Sequence, residues 1–163
     1  MYMCDVHRDN VHVVNGGREG VVVWNINTCQ RSHTLVNDGH RASRYVKYLY
    51  DPERVLCHLF DRYDSTIRDI IAIMNLQGEY ITRFNTTVDG VYPKLHVFPQ
   101  YLITCESDSS LRVHHMNTGD IVYVFVDHTS LGFNYFIESN FTGTFTVYNN
   151  NGRHYVFRKI QDS

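Results

Sequence analysis

The chain has 163 residues, enough for one domain with a core of its own. Its composition, 43% hydrophobic and 20% charged, excludes an intrinsically disordered chain. A formal net charge of −2 at pH 7 argues against a whole-domain footprint for polyanions and leaves only local basic patches to consider.

Twelve Tyr and nine Phe against four Met favour strands, and no window keeps a helical 3, 4, 7 spacing of apolar residues for three turns. The expected class is all-β. No apolar run approaches the roughly 18 residues that span a bilayer, so no membrane segment is expected. The polar start, MYMCDVHRDN, lacks the apolar centre of a signal peptide. A cytoplasmic or nuclear chain is the expectation. Cys4, Cys29, Cys57 and Cys105 lie far apart with no CxxC pair, which fits free thiols in a reducing compartment.

In chain order, residues 1–10 read as an arm or the end of an outer strand. Val11–Val14 and Val21–Trp24 read as strands joined by a turn around Arg18, with Asn15-Gly16-Gly17 and Glu19-Gly20 as turn signals. Cys29–Leu35 follows as a third strand. A second unit runs Arg44–Tyr50, Val55–Phe60, Ile70–Leu76 and Tyr80–Phe84. It carries the longest insertion, the loop Asp61–Asp69. A third runs Lys94–Phe98, Tyr101–Cys105, Leu111–Met116 and Ile121–Val126. A compressed fourth runs Phe133–Ile137, Thr144–Tyr148 and His154–Ile160.

The third strands of these units share a pattern. VVVWNINTC, IAIMNLQG, LRVHHMNTG and TFTVYNNNG each give a strand and then an Asn-rich turn. With Trp24, Met74, His114 and Tyr148 as equivalents, the spacings are 50, 40 and 34 residues. Four-stranded propeller repeats recur at roughly 40–45 residues. The segment Gly20–Thr28, the pair Gly39-His40, the turn Asp108–Val113 and the turn Asn117-Thr118-Gly119 together resemble the WD-repeat β-propeller family over nearly the whole chain. The resemblance implies blades of four antiparallel strands at about 1–36, 40–85, 90–126 and 128–160. In that family a His, an Asp, a Ser/Thr and a Trp hydrogen-bond within each blade. By that pattern Trp24, His40 and Asp108 become structural residues. No unit supplies all four: Asn25 replaces the Asp, and Met74 and His114 stand in the Trp place.

Propellers close with about 4–8 blades. Three units and a compressed fourth lie at the bottom of that range, so a partial or incomplete propeller of about 3.5–4 blades is expected. Other protein chains would complete it or cover its strand edges.

No constellation for chemistry stands out. His114 and His115 are adjacent on a strand and point to opposite faces, so they do not share a metal easily. Cys57-His58 diverge in the same way, and Cys57 and Cys105 fall on equivalent second strands where a small apolar residue packs. GxSxG, GxGxxG and GxxxxGK[ST] are absent. No enzyme, metal or cofactor is expected. Trp24 ends an apolar strand and is expected in the core. Two basic clusters remain, His40, Arg41, Arg44 and Lys47, and Arg153, His154, Arg158 and Lys159. Candidate partner-binding residues are His40, Arg41, Arg44, Arg62, Tyr63, Arg112 and Arg153. The leading expectation is a non-catalytic scaffold for protein–protein contacts within a larger complex. One alternative is a substrate receptor for acidic or phosphorylated peptides, with Arg41, Arg44 or Arg112 converging on one pocket. The other is an RNA- or ribonucleoprotein-binding module, which the overall charge does not favour.

Overall fold

The computed structural model is a succession of antiparallel sheets, described over residues 3–36, 39, 41–50, 52–64, 69–87, 95–108, 110–126, 136–139, 144–148 and 154–158. The first sheet joins β1 (Cys4–Val6), β2 (His12–Gly17), β3 (Gly20–Asn25) and β4 (Gln30–Val36). The second joins β5 (Arg41–Leu49), β6 (Arg54–Asp61), β7 (Asp69–Met74) and β8 (Tyr80–Thr86). The third joins β9 (Leu95–Val97), β10 (Tyr101–Cys105), β11 (Ser110–His115) and β12 (Ile121–Val126). The fourth joins β13 (Phe136–Ser139), β14 (Thr144–Tyr148) and β15 (His154–Arg158), described by their backbone. Every strand pairs with its sequence neighbour, so each sheet is a meander. No helix occurs among the described residues.

Tight turns set the register. Gly17 pairs with Gly20 across a two-residue loop, Arg18-Glu19. Gly20 has φ +91, and a Cβ there would lie 2.0 Å from the Val36 carbonyl oxygen, so no other residue suits it. The Asn-rich turns act through side chains. Asn25 Oδ1 accepts from the N–H groups of Asn27 (3.0 Å) and Thr28 (3.1 Å). Asn75 Oδ1 accepts from Gln77 (3.0 Å) and Glu79 (2.9 Å). Each is an Asx turn that closes the chain between the third and fourth strands of its sheet.

The sheets stack face to face. Val14, Val21, Val23, Leu35 and Val36 of the first sheet pack on Val46, Tyr48, Val55, Cys57, Leu59, Ala72 and Met74 of the second. Leu49, Leu56, Ile71 and Ile73 on the other face of the second sheet pack on Leu95, Leu102 and Met116 of the third. Alternate β6 residues therefore serve two different cores, which explains why this strand reads as an unbroken apolar run around His58. Cys57 and Cys105 are buried thiols, whereas Cys4 and Cys29 are exposed.

Trp24 departs from the expectation that it fills the core. It is 40% exposed. Val21 and Val23 share the face that packs on the second sheet, so strand alternation carries Trp24 to the opposite face. A register shift against β4 lies beside it, and β3 ends one residue later, so the indole reaches the margin of the sheet.

Polar contacts tie consecutive sheets. Asp5 accepts from the Tyr48 N–H at 2.8 Å, and His33 Nε2 donates to the Leu76 carbonyl at 3.0 Å. Between the second and third sheets, Arg54 Nη1 donates to Asn117 Oδ1 at 2.7 Å, and the Ser107 N–H donates to the Thr87 carbonyl at 3.0 Å.

Candidate functional site

Four arginines line one pocket where the first and second sheets adjoin. Arg18 and Glu19 form the β2–β3 turn. Arg31 lies on β4 and is bonded along that strand through Nη2 to the Thr34 hydroxyl. Gly39 precedes β5, Arg41 opens β5, and Arg62 follows the end of β6. Among the described residues these six line one pocket of about 160 Å³. Arg62 is held there, because its Nη2 donates to the Gly39 carbonyl and also lies 3.3 Å from the Tyr63 hydroxyl. Among the described residues of the lining, four arginines stand beside one carboxylate, Glu19.

The sequence-derived candidates divide on this geometry. Arg41 and Arg62 come together in the pocket, with Tyr63, 74% exposed, next to it. Arg44 does not join them. Its Nη1 lies 3.3 Å from Asp69 Oδ2, and its guanidinium stacks 4.0 Å over the Phe60 ring. The same Asp69 oxygen lies 3.0 Å from Nε2 of the fully buried His58. Arg112 is in the third sheet, 3.0 Å from Asp108 Oδ2. Arg41, Arg44 and Arg112 therefore do not converge on one pocket. Asp108 serves its own turn, accepting from the Ser110 N–H at 2.9 Å. His40 and Arg153 lie outside the described residues. Arg18 and Arg31 were not singled out from sequence: one sits in a turn and one on an outer strand, and only the stacking of two sheets unites them with Arg41 and Arg62.

A second polar cluster is enclosed. Glu106, 3% exposed, accepts from Thr86 Oγ1 (3.0 Å), the Thr87 N–H (2.5 Å), Thr87 Oγ1 (2.7 Å) and Thr104 Oγ1 (2.6 Å). Burial pushes the Glu106 carboxyl up, but the hydrogen bonds from Thr104, Thr87 and Thr86 outweigh it and hold its pKa below the ordinary value. Thr104 spends its one hydroxyl proton on Glu106, so the buried His114, 3.1 Å away, donates to Thr104 from Nε2. Burial lowers the His114 pKa, and the ring stacks on Phe84 at 4.3 Å. The partners lie on β8, β10 and β11 or directly after β8 and β10, and the cluster clamps the second sheet to the third. Among the described residues no three His, Cys, Asp or Glu side chains are placed to hold a metal ion.

A third feature is apolar. β12, IVYVFV, is the outer strand of its sheet, with β11 as its one neighbour among the described strands. Ile121, Val122, Tyr123, Val124 and Val126 are 43–52% exposed. Adjacent residues point to opposite faces, so both faces of the strand meet solvent.

Comparison with solved structures agrees with this architecture. The computationally designed Ika4 protein superposes with a TM-score of 0.60 at 13% identity, over 91% of this chain and 85% of that one. BamB from Moraxella catarrhalis, a β-propeller, superposes with a TM-score of 0.54 at 14% identity, over 93% of this chain. The chain spans half the length of BamB. At such identities the likeness concerns the fold alone, and it defines the class: an all-β protein with a propeller-like fold, three of its described sheets four-stranded. No family profile and no curated protein matches the sequence. Among the described residues no helix is long and apolar enough to cross a membrane.

Proposed function

We propose that the chain is a non-catalytic interaction module of a larger intracellular assembly, cytoplasmic or nuclear, and that β12 is where another protein chain docks. The observation that carries this reading is the exposure of β12 on both faces. An uncharged, β-branched outer strand offers backbone groups along one edge and apolar side chains above and below, which suits strand addition by a partner. Left uncovered, the same segment promotes aggregation.

The finer likeness to WD repeats is part of the proposal. The third sheet carries one bond of that pattern in altered form, because Thr104 on its second strand meets His114 at the place of the family Trp. The propeller-like neighbours support a scaffold role.

The test is a double substitution, Val122→Lys with Val124→Lys, in the protein expressed in its own cells. The unmodified chain is expected to run on native mass spectrometry within a defined complex, well above its own 19.1 kDa. The variant is expected to keep its circular dichroism and to run at the monomer mass. A monomeric unmodified chain, or a complex indifferent to both lysines, defeats the reading.

A second reading, a receptor for acidic or phosphorylated peptides, is favoured by the pocket that Arg41 and Arg62 share with Arg18 and Arg31. RNA binding draws less support. Arg44 and Arg112 are engaged by Asp69 and Asp108 rather than aligned along one surface.

A further inference from the structure

We infer that the arginine-lined pocket between the first two sheets is a binding site for a dianionic phosphate group. The inference deepens the receptor reading by naming the ligand's charge and shape, and it is independent of docking at β12.

Size is the first argument. A pocket of about 160 Å³ is smaller than the roughly 300–1,000 Å³ that take a whole drug-sized ligand. It suits a single head group presented on something larger.

Charge is the second. The described lining holds Arg18, Arg31, Arg41 and Arg62 against Glu19. Guanidinium groups in general stay protonated at any ordinary pH. Arg18, Arg31 and Arg62 alone exceed Glu19 by two charges, which a dianion answers more fully than a monoanionic carboxylate does. Bidentate guanidinium forks match the oxygens of phosphate.

Preorganisation is the third. Arg62 is anchored to the Gly39 carbonyl, and Arg31 to the Thr34 hydroxyl. Each anchor uses one of five N–H donors and leaves the rest for a ligand. Holding a long side chain before the ligand arrives reduces the ordering cost of binding.

Glu19 makes the site tunable. A carboxylate beside the arginines competes with an incoming anion for the same donors.

The experiment measures binding of inorganic phosphate, sulfate and acetate to the full chain by calorimetry at pH 8 and constant ionic strength. Phosphate and sulfate are expected to compete for one site, with acetate at least tenfold weaker. Arg31→Glu and Arg62→Glu each weaken phosphate by roughly tenfold or more, the scale of one lost charge-assisted hydrogen bond. Glu19→Gln tightens it severalfold, a gain that misfolding does not mimic. A phosphoserine peptide and a nucleoside monophosphate then separate the sources: the one that binds at least tenfold tighter than inorganic phosphate carries the group. Equal affinity for acetate, binding indifferent to both charge reversals, or weaker binding in Glu19→Gln would overturn the assignment. None of these results bears on β12, because the Val122→Lys, Val124→Lys variant leaves the pocket intact.

Discussion

Glu106 gathers two threonine hydroxyls and a backbone N–H from the end of one sheet and a third hydroxyl from its own. Removing the carboxylate strands those donors, so Glu106→Ala is expected to lose about 3 kcal/mol in urea unfolding, in line with orphaned buried groups. The pH dependence has a definite sign. Glu106 and His114 both have folded pKa values below their ordinary ones, 4.5 and 6.5. Their contributions are complete above the ordinary values and fade as pH falls through the folded ones. Stability therefore declines on acidification, first below about 6.5 from His114 and then below about 4.5 from Glu106. A flat profile from pH 7 to pH 3 would contradict the clamp. The thiols give a second check. Burial pushes the Cys57 pKa up, and Cys105 is also buried, while Cys4 and Cys29 are exposed. A thiol reagent is expected to label two cysteines in the native protein and four in denaturant. None of the Glu106 cage was legible in the sequence, since Thr86 and Glu106 are 20 positions apart and only sheet stacking unites them.

Strands and turns were legible to a different degree. Asn25, Asn75 and Gly20 announce their turns because a side-chain oxygen or a positive φ is a local property. Gly20→Ala would meet both strain and the Val36 carbonyl, and is expected to lower stability by about 2 kcal/mol or more, read from the melting temperature. Exposure was not legible. VVVW and IVYVFV look alike as apolar runs, yet Val21–Val23 are buried while Trp24 and most of β12 are not. Composition marks a strand, but neighbouring sheets decide which of its faces are covered. The arginine pocket was legible only in part for the same reason: Arg41 and Arg62 lie in segments that invite attention, while Arg18 and Arg31 gain meaning from what packs beside them.

Among the described residues, two apolar cores join consecutive sheets, the first to the second and the second to the third, so stability there is a sum of neighbour terms as in repeat proteins. The second sheet is covered on both faces, and the slowest amide exchange is expected in β6 and β7, with β12 among the fastest segments. Exchange in β12 as slow as in β6 would mean that the strand is protected in solution. Leu56 sits fully buried between the second and third sheets, and Leu56→Ala is expected to cost about 2–5 kcal/mol in denaturant unfolding.

Gly16 has an effect that reaches beyond its own strand. A methyl there would lie 2.9 Å from Ser43 Oγ and 3.1 Å from Val46 Cγ1, so the hydrogen of glycine fixes how closely the first two sheets approach at that point. In a fan of sheets that separation governs the angle from one vane to the next, and the angle determines how many vanes complete a turn. Enlarging residue 16 would therefore alter the curvature of the stack.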